Sequence, residues 1–189
     1  MSRDTQWPRY EVFKQDRPDK PHAAVGTVHA PDPEVALLNA RDVFVRRPSC
    51  YSLWVAPESA VFKMTAYELE TQPNWWVEEL PEEAPEETYH IFNKQTQRRS
   101  MVAVTHVGEV TARSPREALR KAIESGQFVE KVAYMWWVVP ESAIARSSEE
   151  DVLSMFEPAK DKTYRDQSYY TGGVFARRSQ RRPEDIPLS

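Results

Sequence analysis

The residues of this chain that could do chemistry do not fall into a recognised catalytic pattern. The 189 residues contain no Walker A loop, no Gly-x-Gly-x-x-Gly turn, no Gly-x-Ser-x-Gly elbow and no Cys-x-x-Cys pair. Such patterns cradle phosphates, expose a serine nucleophile or supply paired thiolates. The sequence therefore does not favour a nucleotide-binding enzyme, a serine hydrolase or a dithiol site, and we predict no cofactor and no catalytic residue.

One string has the spacing of a metal-binding motif. Glu87-Thr88-Tyr89-His90 places a glutamate three residues before a histidine, which on a helix supplies two ligands to a di-iron carboxylate site. Here the string enters a stretch with the composition of a β-strand, where alternate side chains face opposite sides of the sheet. Glu87 and His90 would then point apart, so we predict no metal site from this string.

Four histidines and one cysteine remain as candidate acids, bases or nucleophiles. A repeat, described next, aligns each histidine with a different residue type. The pairs are His22 with Val104, His29 with Thr111, His90 with Glu11 and His106 with Ala24. A duplicated active site would keep its acid or base in both copies, so we interpret the histidines as surface or strand-face residues, and a single asymmetric site stays open. Cys50 shows no feature of a reactive thiol and is interpreted as a small buried side chain.

Two copies of one pattern occupy the two halves of the chain. The first copy contains Val25-Gly26-x-Val28, Pro33-x-x-Ala36-Leu37 and Trp54-Val55-x-Pro57, and the second contains Val107-Gly108-x-Val110, Pro115-x-x-Ala118-Leu119 and Trp137-Val138-x-Pro140. Two copies are too few for a solenoid, which buries its faces by stacking three or more repeats. The sequence therefore predicts two tandem copies of one small domain.

The sequence pattern of each copy predicts the element order strand, strand, helix, strand. A polar turn between two short β-rich runs predicts a hairpin. An N-cap residue before a proline, Asp32 or Ser114, then starts an amphipathic helix, and a third strand ends at a proline. The β-rich runs of the hairpins cover 10–15 with 25–30 in the first copy and 89–94 with 101–111 in the second.

We therefore predict the α+β class, with two tandem β-β-α-β repeats whose antiparallel or mixed sheets are related by a pseudo-two-fold axis. The chain would resemble a fused homodimer. Trp75 and Trp76 are expected to dock onto a core, because burying an indole removes about 150–250 Å² from water. The predicted bounds are 1–72 for the first unit, 73–88 for an acidic, Pro-rich linker, 89–175 for the second unit with a closing segment, and 176–189 for a basic tail.

Composition narrows the classes of protein further. The net charge of −4, from 25 basic and 29 acidic side chains, gives no general attraction to nucleic acid. No apolar run approaches the roughly 18 residues that span a bilayer, so we expect no membrane association. The lone Cys50 excludes an internal disulfide, and no signal peptide is evident, so a cytoplasmic location is expected.

Several strings match those of a known family in order and spacing. They are 7–13 (WPRYEVF), 25–30 (VGTVHA), 36–47 (ALLNARDVFVRR) and 52–55 (SLWV) in the first half, and 156–165 (FEPAKDKTYR) with 168–171 (SYYT) at the end of the second. Together they closely resemble the PaaB family, the B component of the bacterial phenylacetyl-CoA epoxidase complex. The resemblance spans most of the chain, but this sequence is duplicated whereas the usual family member is a single unit.

The resemblance implies a part in aerobic phenylacetate breakdown. In that process a multicomponent oxygenase, with a di-iron A subunit, a C subunit and a reductase, converts the ring of the phenylacetyl thioester to an epoxide. The resemblance further implies that the present chain is a non-catalytic bridging subunit with the A and C subunits as partners. Partner stoichiometry does not carry over from single-unit relatives because of the duplication.

Partner contacts are predicted among aromatic and arginine side chains, which are enriched at interfaces. Asn39, Arg41 and Asp42 lie away from the apolar stripe of the first helix, and the alternative is a solvated face with an Asp42–Arg46 ion pair. Trp136 and Trp137 point to opposite sides of a strand, so one is a contact residue unless both sheet faces are covered. The candidates are Trp7, Tyr10, Asn39, Arg41, Asp42, Arg46, Arg47, Trp136, Tyr164, Tyr169 and Tyr170.

Two alternatives stay open. Two small α+β units could form a dimer-like barrel enzyme, a cofactor-free oxygenase or isomerase, and a deep cavity holding a paired acid and base would favour it. The chain could also be a regulatory module that binds an aromatic CoA thioester, with the basic tail meeting the phosphates.

Overall fold

The computed structural model describes residues 6–45, 50–78, 84–97, 104–130, 132–148 and 150–156. Five of the predicted interface residues, Arg46, Arg47, Tyr164, Tyr169 and Tyr170, lie outside the described residues, as does the basic tail. The elements in chain order are β1 (Arg9–Gln15), β2 (Ala23–His29), α1 (Pro33–Phe44), β3 (Ser52–Pro57), β4 (Phe62–Thr65), α2 (Ala66–Thr71), β5 (Glu87–Lys94), β6 (Val104–Ala112), α3 (Pro115–Ser125), β7 (Met135–Pro140), β8 (Ala145–Arg146) and α4 (Asp151–Phe156).

The strands form one antiparallel sheet, in the order β4-β7-β5-β6-β2-β1-β3-β8. The α+β class is confirmed, and the described ladders contain no parallel pair. The halves meet where β2 lies beside β6, with Ala23 opposite Thr105. At this junction the His106 backbone N–H donates to the His22 carbonyl at 2.8 Å. A short backbone ladder thus joins the two copies.

Each half also lends a short strand to the other. Strand β4 of the first half pairs with β7, placing Met64 opposite Trp136. Strand β8 of the second half pairs with β3, placing Trp54 opposite Arg146. The prediction of β-β-α-β units lacks these two strands, because they are four and two residues long and their partners lie in the other copy. Neither length gives a readable alternation of polar and apolar residues.

Two glycines allow a phenylalanine ring, at the end of α1 or just after α3, to lie close against the sheet. Gly26 (φ +144°) lies in β2 beside the ring of Phe44, and Gly108 (φ +154°) lies in β6 beside the ring of Phe128. A Cβ atom at either glycine would meet the ring at less than 3.0 Å. Both strand pairs shift register next to the glycine, which is the signature of a β-bulge. The repeated glycines therefore have a structural cause.

The two long helices are capped as the sequence predicts. The Asp32 side chain accepts from the Val35 N–H at 2.8 Å, and the Ser114 hydroxyl accepts from the Glu117 N–H at 3.1 Å. The Glu117 carboxylate accepts from the Arg113 N–H at 3.0 Å, one residue before the N-cap, so Ser114 and Glu117 do not form a complete capping box. No described helix is both long and apolar enough to cross a bilayer.

Three apolar clusters hold the fold together. One lies between α1 and the first half of the sheet, and one lies between α3 and the second half. The third lies on the opposite face, where Phe13 of β1 stacks on Phe92 of β5 at a centroid distance of 4.2 Å. Both sheet faces are therefore covered, which explains why Trp136 and Trp137 are both buried. The expected docking of Trp75 and Trp76 is confirmed only for Trp75, which packs against the α3 cluster, whereas Trp76 is 40% exposed.

Candidate functional site

Two charged clusters lie at equivalent places where the exchanged strands meet the other half. In the first, the Lys63 ammonium on β4 donates to the Glu11 carboxylate on β1 at 2.6 Å and lies 4.6 Å from the Trp137 ring centroid. In the second, the Arg146 guanidinium on β8 lies 3.1 Å from His90 Nε2 on β5 and 4.6 Å from the Trp54 ring centroid. A cation over an indole and a buried strand residue are thus present in both copies.

The second of these clusters contains three of the four histidines. We call it the histidine cluster, and its members are His22, Trp54, His90, His106, Glu109, Glu141 and Arg146. His90 Nδ1 lies 3.0 Å from His106 Nε2 and 3.4 Å from a Glu109 carboxylate oxygen. On its other side, His90 Nε2 contacts the Glu141 carboxylate. His90 is fully buried, so these contacts replace its hydration.

Trp54 is the apolar wall of the histidine cluster. The imidazole of His22 stacks on the indole at 3.7 Å, and the rings of His90 and His106 meet it edge-on at 5.2 and 5.5 Å. His22 Nε2 is 3.1 Å from the Ser52 hydroxyl. Burial, with smaller contributions from the neighbouring histidines and Arg146, lowers the pKa of His22 to about 3 and that of His106 to about 4. Both imidazoles are therefore neutral at physiological pH.

Within the cluster, the charges of Glu141 and Arg146 compensate each other. The Arg146 guanidinium donates to both oxygens of Glu141, at 2.7 and 2.5 Å. Desolvation opposes ionisation of Glu141, but hydrogen bonds from His90 and Arg146 outweigh it and lower the pKa of this carboxyl below its usual value. Glu141 and Arg146 are thus a neutral pair that holds His90 in place.

The histidine cluster opens to solvent on one side. A groove of about 400 Å³ is lined by members of the cluster and by residues of the segment that follows β8. The Glu109 side chain is 55% exposed at this groove, whereas His90 behind it is 1% exposed. A small ligand or ion arriving from water would therefore meet Glu109 before it reached the two imidazoles.

A β-bulge brings His106 and Glu109 to the same face of the sheet. Residues three apart in a regular strand face opposite sides. In β6 the register shifts, so that Gly108 is opposite Ile91 while His106 is opposite Phe92. Val107 is the extra residue, and Glu109 therefore pairs with His90 on the face that also carries His106. Regular strand alternation would place His106 and Glu109 on opposite faces of the sheet. Gly108 is the sequence signal that could have indicated a bulge and a shared face.

The interpretation of the histidines as surface or strand-face residues is therefore correct only in part. His29 lies on the surface, where its Nδ1 is 2.8 Å from the Trp7 carbonyl oxygen. His22 and His90 are buried, and with His106 they form the single asymmetric arrangement that the sequence left open. The string Glu87–His90 behaves as strand periodicity predicts, because Glu87 instead accepts from the Tyr89 hydroxyl at 3.0 Å.

The predicted interface residues divide into exposed and buried sets. Trp7 is 58% exposed, and Asn39 is held near it because the Asn39 amide donates to the His29 carbonyl at 3.0 Å. Arg41 pairs with Asp42 at 3.0 Å on the outer side of α1. Tyr10 and Trp136 are 5% and 3% exposed and belong to the apolar clusters, so neither presents its side chain to a partner.

The outer faces of α1 and α3 differ in polarity. Helix α1 exposes Leu38 and Val43, which are 46% and 43% accessible. The residues at the same repeat positions in α3 are Arg120 and Ser125. Arg120 donates to Glu124 at 2.7 Å and covers the Trp76 ring at 4.2 Å. The first copy thus has uncovered apolar surface where the second copy has a charged side chain already engaged.

The centre of the molecule is packed rather than hollow. The dimer-like barrel enzyme would need a cavity with a paired acid and base at this place. Phe13, Phe92 and Trp137 fill it, with Phe13 meeting the Trp137 ring at 6.1 Å. Among the described residues, the acid–base groups are gathered instead at the histidine cluster. Cys50 is half-buried, and burial raises the pKa of its thiol to about 12, which agrees with a non-nucleophilic role.

Comparison with known proteins identifies one family. The family model described as "Phenylacetic acid degradation B" matches residues 6–76 and 86–179. A curated protein of Escherichia coli (strain K12), the B component of its 1,2-phenylacetyl-CoA epoxidase, is 44% identical over 55 residues. These residues are 29% of this chain and 58% of that protein, so the match spans less than two thirds of the relative's length. No solved structure matches the chain.

Proposed function

The chain belongs to the phenylacetic acid degradation B (PaaB) family, and on that premise we propose that it is the non-catalytic bridging subunit of a phenylacetyl-CoA epoxidase in the cytoplasm. The observation that carries the proposal is the family match, which extends over both halves of the chain. The curated relative supports it, because that protein is named as a component of such an epoxidase. The partners would be the di-iron A subunit and the C subunit.

The internal symmetry of the molecule fits a bridging role. We infer that the two halves are related by a pseudo-two-fold axis passing between β2 and β6, as in a covalently joined dimer. The sheet order supports this, since each half contributes three adjacent strands and one strand to the far side of the other half. A fused pair of copies associates at an effective concentration on the order of mM, so dissociation would not limit assembly.

The two copies would present different surfaces to the epoxidase. We assign the outer face of α1, with Leu38, Arg41, Asp42 and Val43, to docking of the A subunit. Apolar residues flanked by an Arg–Asp pair are a common interface composition, and this face is not covered by any described part of the chain. Trp7 extends the same surface beyond the N-terminal end of α1, through its contact with His29.

Co-purification tests the proposal. The untagged chain, co-expressed with tagged A and C subunits, is expected to co-elute with them in size-exclusion chromatography. A charged substitution at the proposed docking face, Leu38→Glu with Val43→Glu, is expected to release the chain, because two carboxylates would be desolvated in the interface. Ile123→Glu on α3 is the matched control, since Ile123 is 39% exposed.

The outcomes separate the assignment of the face from the assignment of the function. Release by the α1 variant but not by the α3 variant supports both. Release by the α3 variant alone would move the docking face to the second copy. Failure of the unsubstituted chain to co-elute with either partner, at both low and moderate salt, contradicts the bridging role itself.

A further inference from the structure

We propose that His90, His106 and Glu109 bind one divalent transition-metal ion of the Zn²⁺ type beside the groove that Glu109 lines. This site is independent of the bridging function proposed above. It uses neither Glu87 nor any other residue of the Glu-x-x-His string except His90. The three donor atoms, His90 Nδ1, His106 Nε2 and a Glu109 carboxylate oxygen, lie within 4.8 Å of one another.

Two of the three spacings between these donors are close to those of tetrahedral coordination. Zinc is bound by imidazole nitrogen and carboxylate oxygen at about 2.0–2.2 Å, so neighbouring ligands of a tetrahedral site lie about 3.3–3.4 Å apart. His90 Nδ1 is 3.0 Å from His106 Nε2 and 3.4 Å from the Glu109 oxygen. Movements of a few tenths of an ångström would therefore bring these pairs to ligand distances. Two imidazoles with one carboxylate are also a donor set that Zn²⁺ binds in proteins.

The outer contacts of both histidines are those of metal ligands. A ligating histidine usually bonds its second ring nitrogen to a carboxylate or a backbone group, which fixes the ring and its tautomer. His90 Nε2 contacts the Glu141 carboxylate, leaving Nδ1 directed at the proposed ion. His106 hydrogen-bonds the backbone of Gly108, and its Nε2 is directed at the same place. This arrangement is independent of the distances between the donors.

The charge around the site favours a cation despite a nearby arginine. Arg146 donates two hydrogen bonds to Glu141, so these two groups cancel. The carboxylate of Glu109 is then a negative charge outside the Arg146–Glu141 pair, and it lies 3.4 Å from His90 Nδ1 on the side of the proposed ion. Binding of a divalent ion would therefore change the net charge of the site from negative to positive. Water in the groove can solvate this positive charge.

The site has room for a fourth ligand from solvent. His22 is not available as that ligand, because its ring lies flat on Trp54 and its Nε2 is engaged with Ser52. The exposed Glu109 instead opens to the groove, where a water molecule can complete the coordination. The first charged cluster offers no equivalent site, since Ala24 and Thr27 stand at the positions of His106 and Glu109.

Metal titration of the intact, tag-free chain tests the proposal. The protein is treated with EDTA, dialysed, and titrated with ZnCl₂ by calorimetry and with CoCl₂ by visible absorption. We expect a stoichiometry of one ion per chain, the strong d–d bands of four-coordinate Co²⁺, and loss of these bands when Zn²⁺ is added. Zinc is also expected to raise the thermal midpoint, because it binds the folded chain.

Ligand variants identify the residues. Glu109→Gln and His106→Gln each remove a donor, and each is expected to weaken zinc binding by about 100-fold or more, beyond the 10–100-fold typical of outer-contact changes. His29→Gln is the matched control, because His29 is an exposed histidine at a β-strand end. Circular dichroism in EDTA shows whether each variant is folded, and the exposed Glu109 makes Glu109→Gln the variant least affected by misfolding.

Metal binding by the unsubstituted chain and the three variants supports or overturns the proposed site. One bound ion that is lost in Glu109→Gln and His106→Gln but kept in His29→Gln supports the site. The proposal is overturned if the unsubstituted chain binds no ion at a 1:1 ratio, if both ligand variants bind as it does, or if His29→Gln loses binding to the same extent.

Discussion

The two charged clusters show how a few substitutions give duplicated copies different side-chain clusters at equivalent places. Glu11 and His90 hold the same position on β1 and β5, and Lys63 and Arg146 hold the same position on the exchanged strands. The cation and the indole beneath it are kept in both. The difference between Glu11 and His90, together with Ala24 and Thr27 at the positions of His106 and Glu109, distinguishes the ion pair of the first cluster from the histidine cluster of the second.

Loss of the Lys63 charge should strongly destabilise the fold. The Glu11 side chain is 3% exposed and one of its oxygens, Oε2, has no hydrogen-bond partner, so Lys63 is its main compensation. We expect Lys63→Met to lower the free energy of unfolding by about 3 kcal/mol, as in other broken buried pairs. Urea denaturation measures the change.

Two further variants control this prediction. Arg17→Met removes a cation from the exposed Arg17–Asp19 pair and should change stability by less than about 1 kcal/mol. Glu11→Leu combined with Lys63→Met removes both the buried carboxylate and its partner and should recover much of the loss. Equal stability of Lys63→Met and Arg17→Met would show that Glu11 does not depend on Lys63.

Cys50 should be unreactive in the folded chain. Because burial raises the pKa of its thiol to about 12, the thiolate, which is the reactive form, is scarce at pH 8. We expect iodoacetamide to modify Cys50 about 100-fold or more slowly in native protein than in denatured protein, with the native rate rising as pH increases. Mass spectrometry of timed samples gives both rates, and equal rates at pH 8 would contradict a raised pKa.

For individual residues, the sequence singled out the histidines as candidates but interpreted them as surface or strand-face residues, so it did not predict the site. Alignment of the copies correctly placed each histidine opposite a non-histidine. It could not bring His22, His90 and His106 together, since that depends on β2 lying beside β6 and on the bulge at Gly108. A contact between copies leaves no local periodicity, and a bulge reverses the alternation on which strand predictions rest.

Within the helices and strands, the bulge glycines should be the least replaceable backbone positions. Gly26→Ala and Gly108→Ala would each place a methyl group against a phenylalanine ring at a φ that L residues rarely adopt. We expect a loss of about 2–4 kcal/mol for each, from strain and overpacking together. Thermal or urea unfolding of the purified variants measures the loss.

Gly126 provides the control for these two glycines. It also has a positive φ, +65°, but no atom lies within 4 Å of an added Cβ. Gly126→Ala should therefore cost only about 1 kcal/mol, the ordinary penalty for a non-glycine residue in the left-handed region. If all three variants lost the same free energy, the contacts with Phe44 and Phe128 would not explain why glycine occupies β2 and β6.

The elements with local signals were predicted well, and the others were not. Helices α1 and α3 each have an N-cap residue, a proline and an apolar stripe, and they begin at Pro33 and Pro115 as expected. Strands β4 and β8 have no such signal, because a strand of two to four residues is defined by its partner. Their partners lie in the opposite half of the chain.

Taken as one molecule, the two halves should each be less stable alone than in the intact chain. Without the second half, β3 lacks β8, and without the first, β7 lacks β4. The stack of Phe13 on Phe92 is also divided between the halves. We expect fragments 1–78 and 84–189, expressed separately, to show lower thermal midpoints than the intact chain, and to form a 1:1 complex with restored circular dichroism when they are mixed.

Sedimentation and thermal unfolding decide this prediction. Fragment mixtures should sediment as a species of the intact chain's mass, and dilution should dissociate them because the covalent link is absent. A fragment that melts as a monomer at the midpoint of the intact protein would show that strand exchange is not required for folding.

The exchanged strands also determine how the edges of the sheet can pair with further copies of the chain. The sheet terminates in β4 and β8, which are four and two residues long. A long terminal strand with free N–H and C=O groups is a template on which further chains can add, and short terminal strands deny it. By capping each other's open flank, the two copies shield an eight-stranded sheet from edge-to-edge aggregation, a protection that either copy would lack on its own.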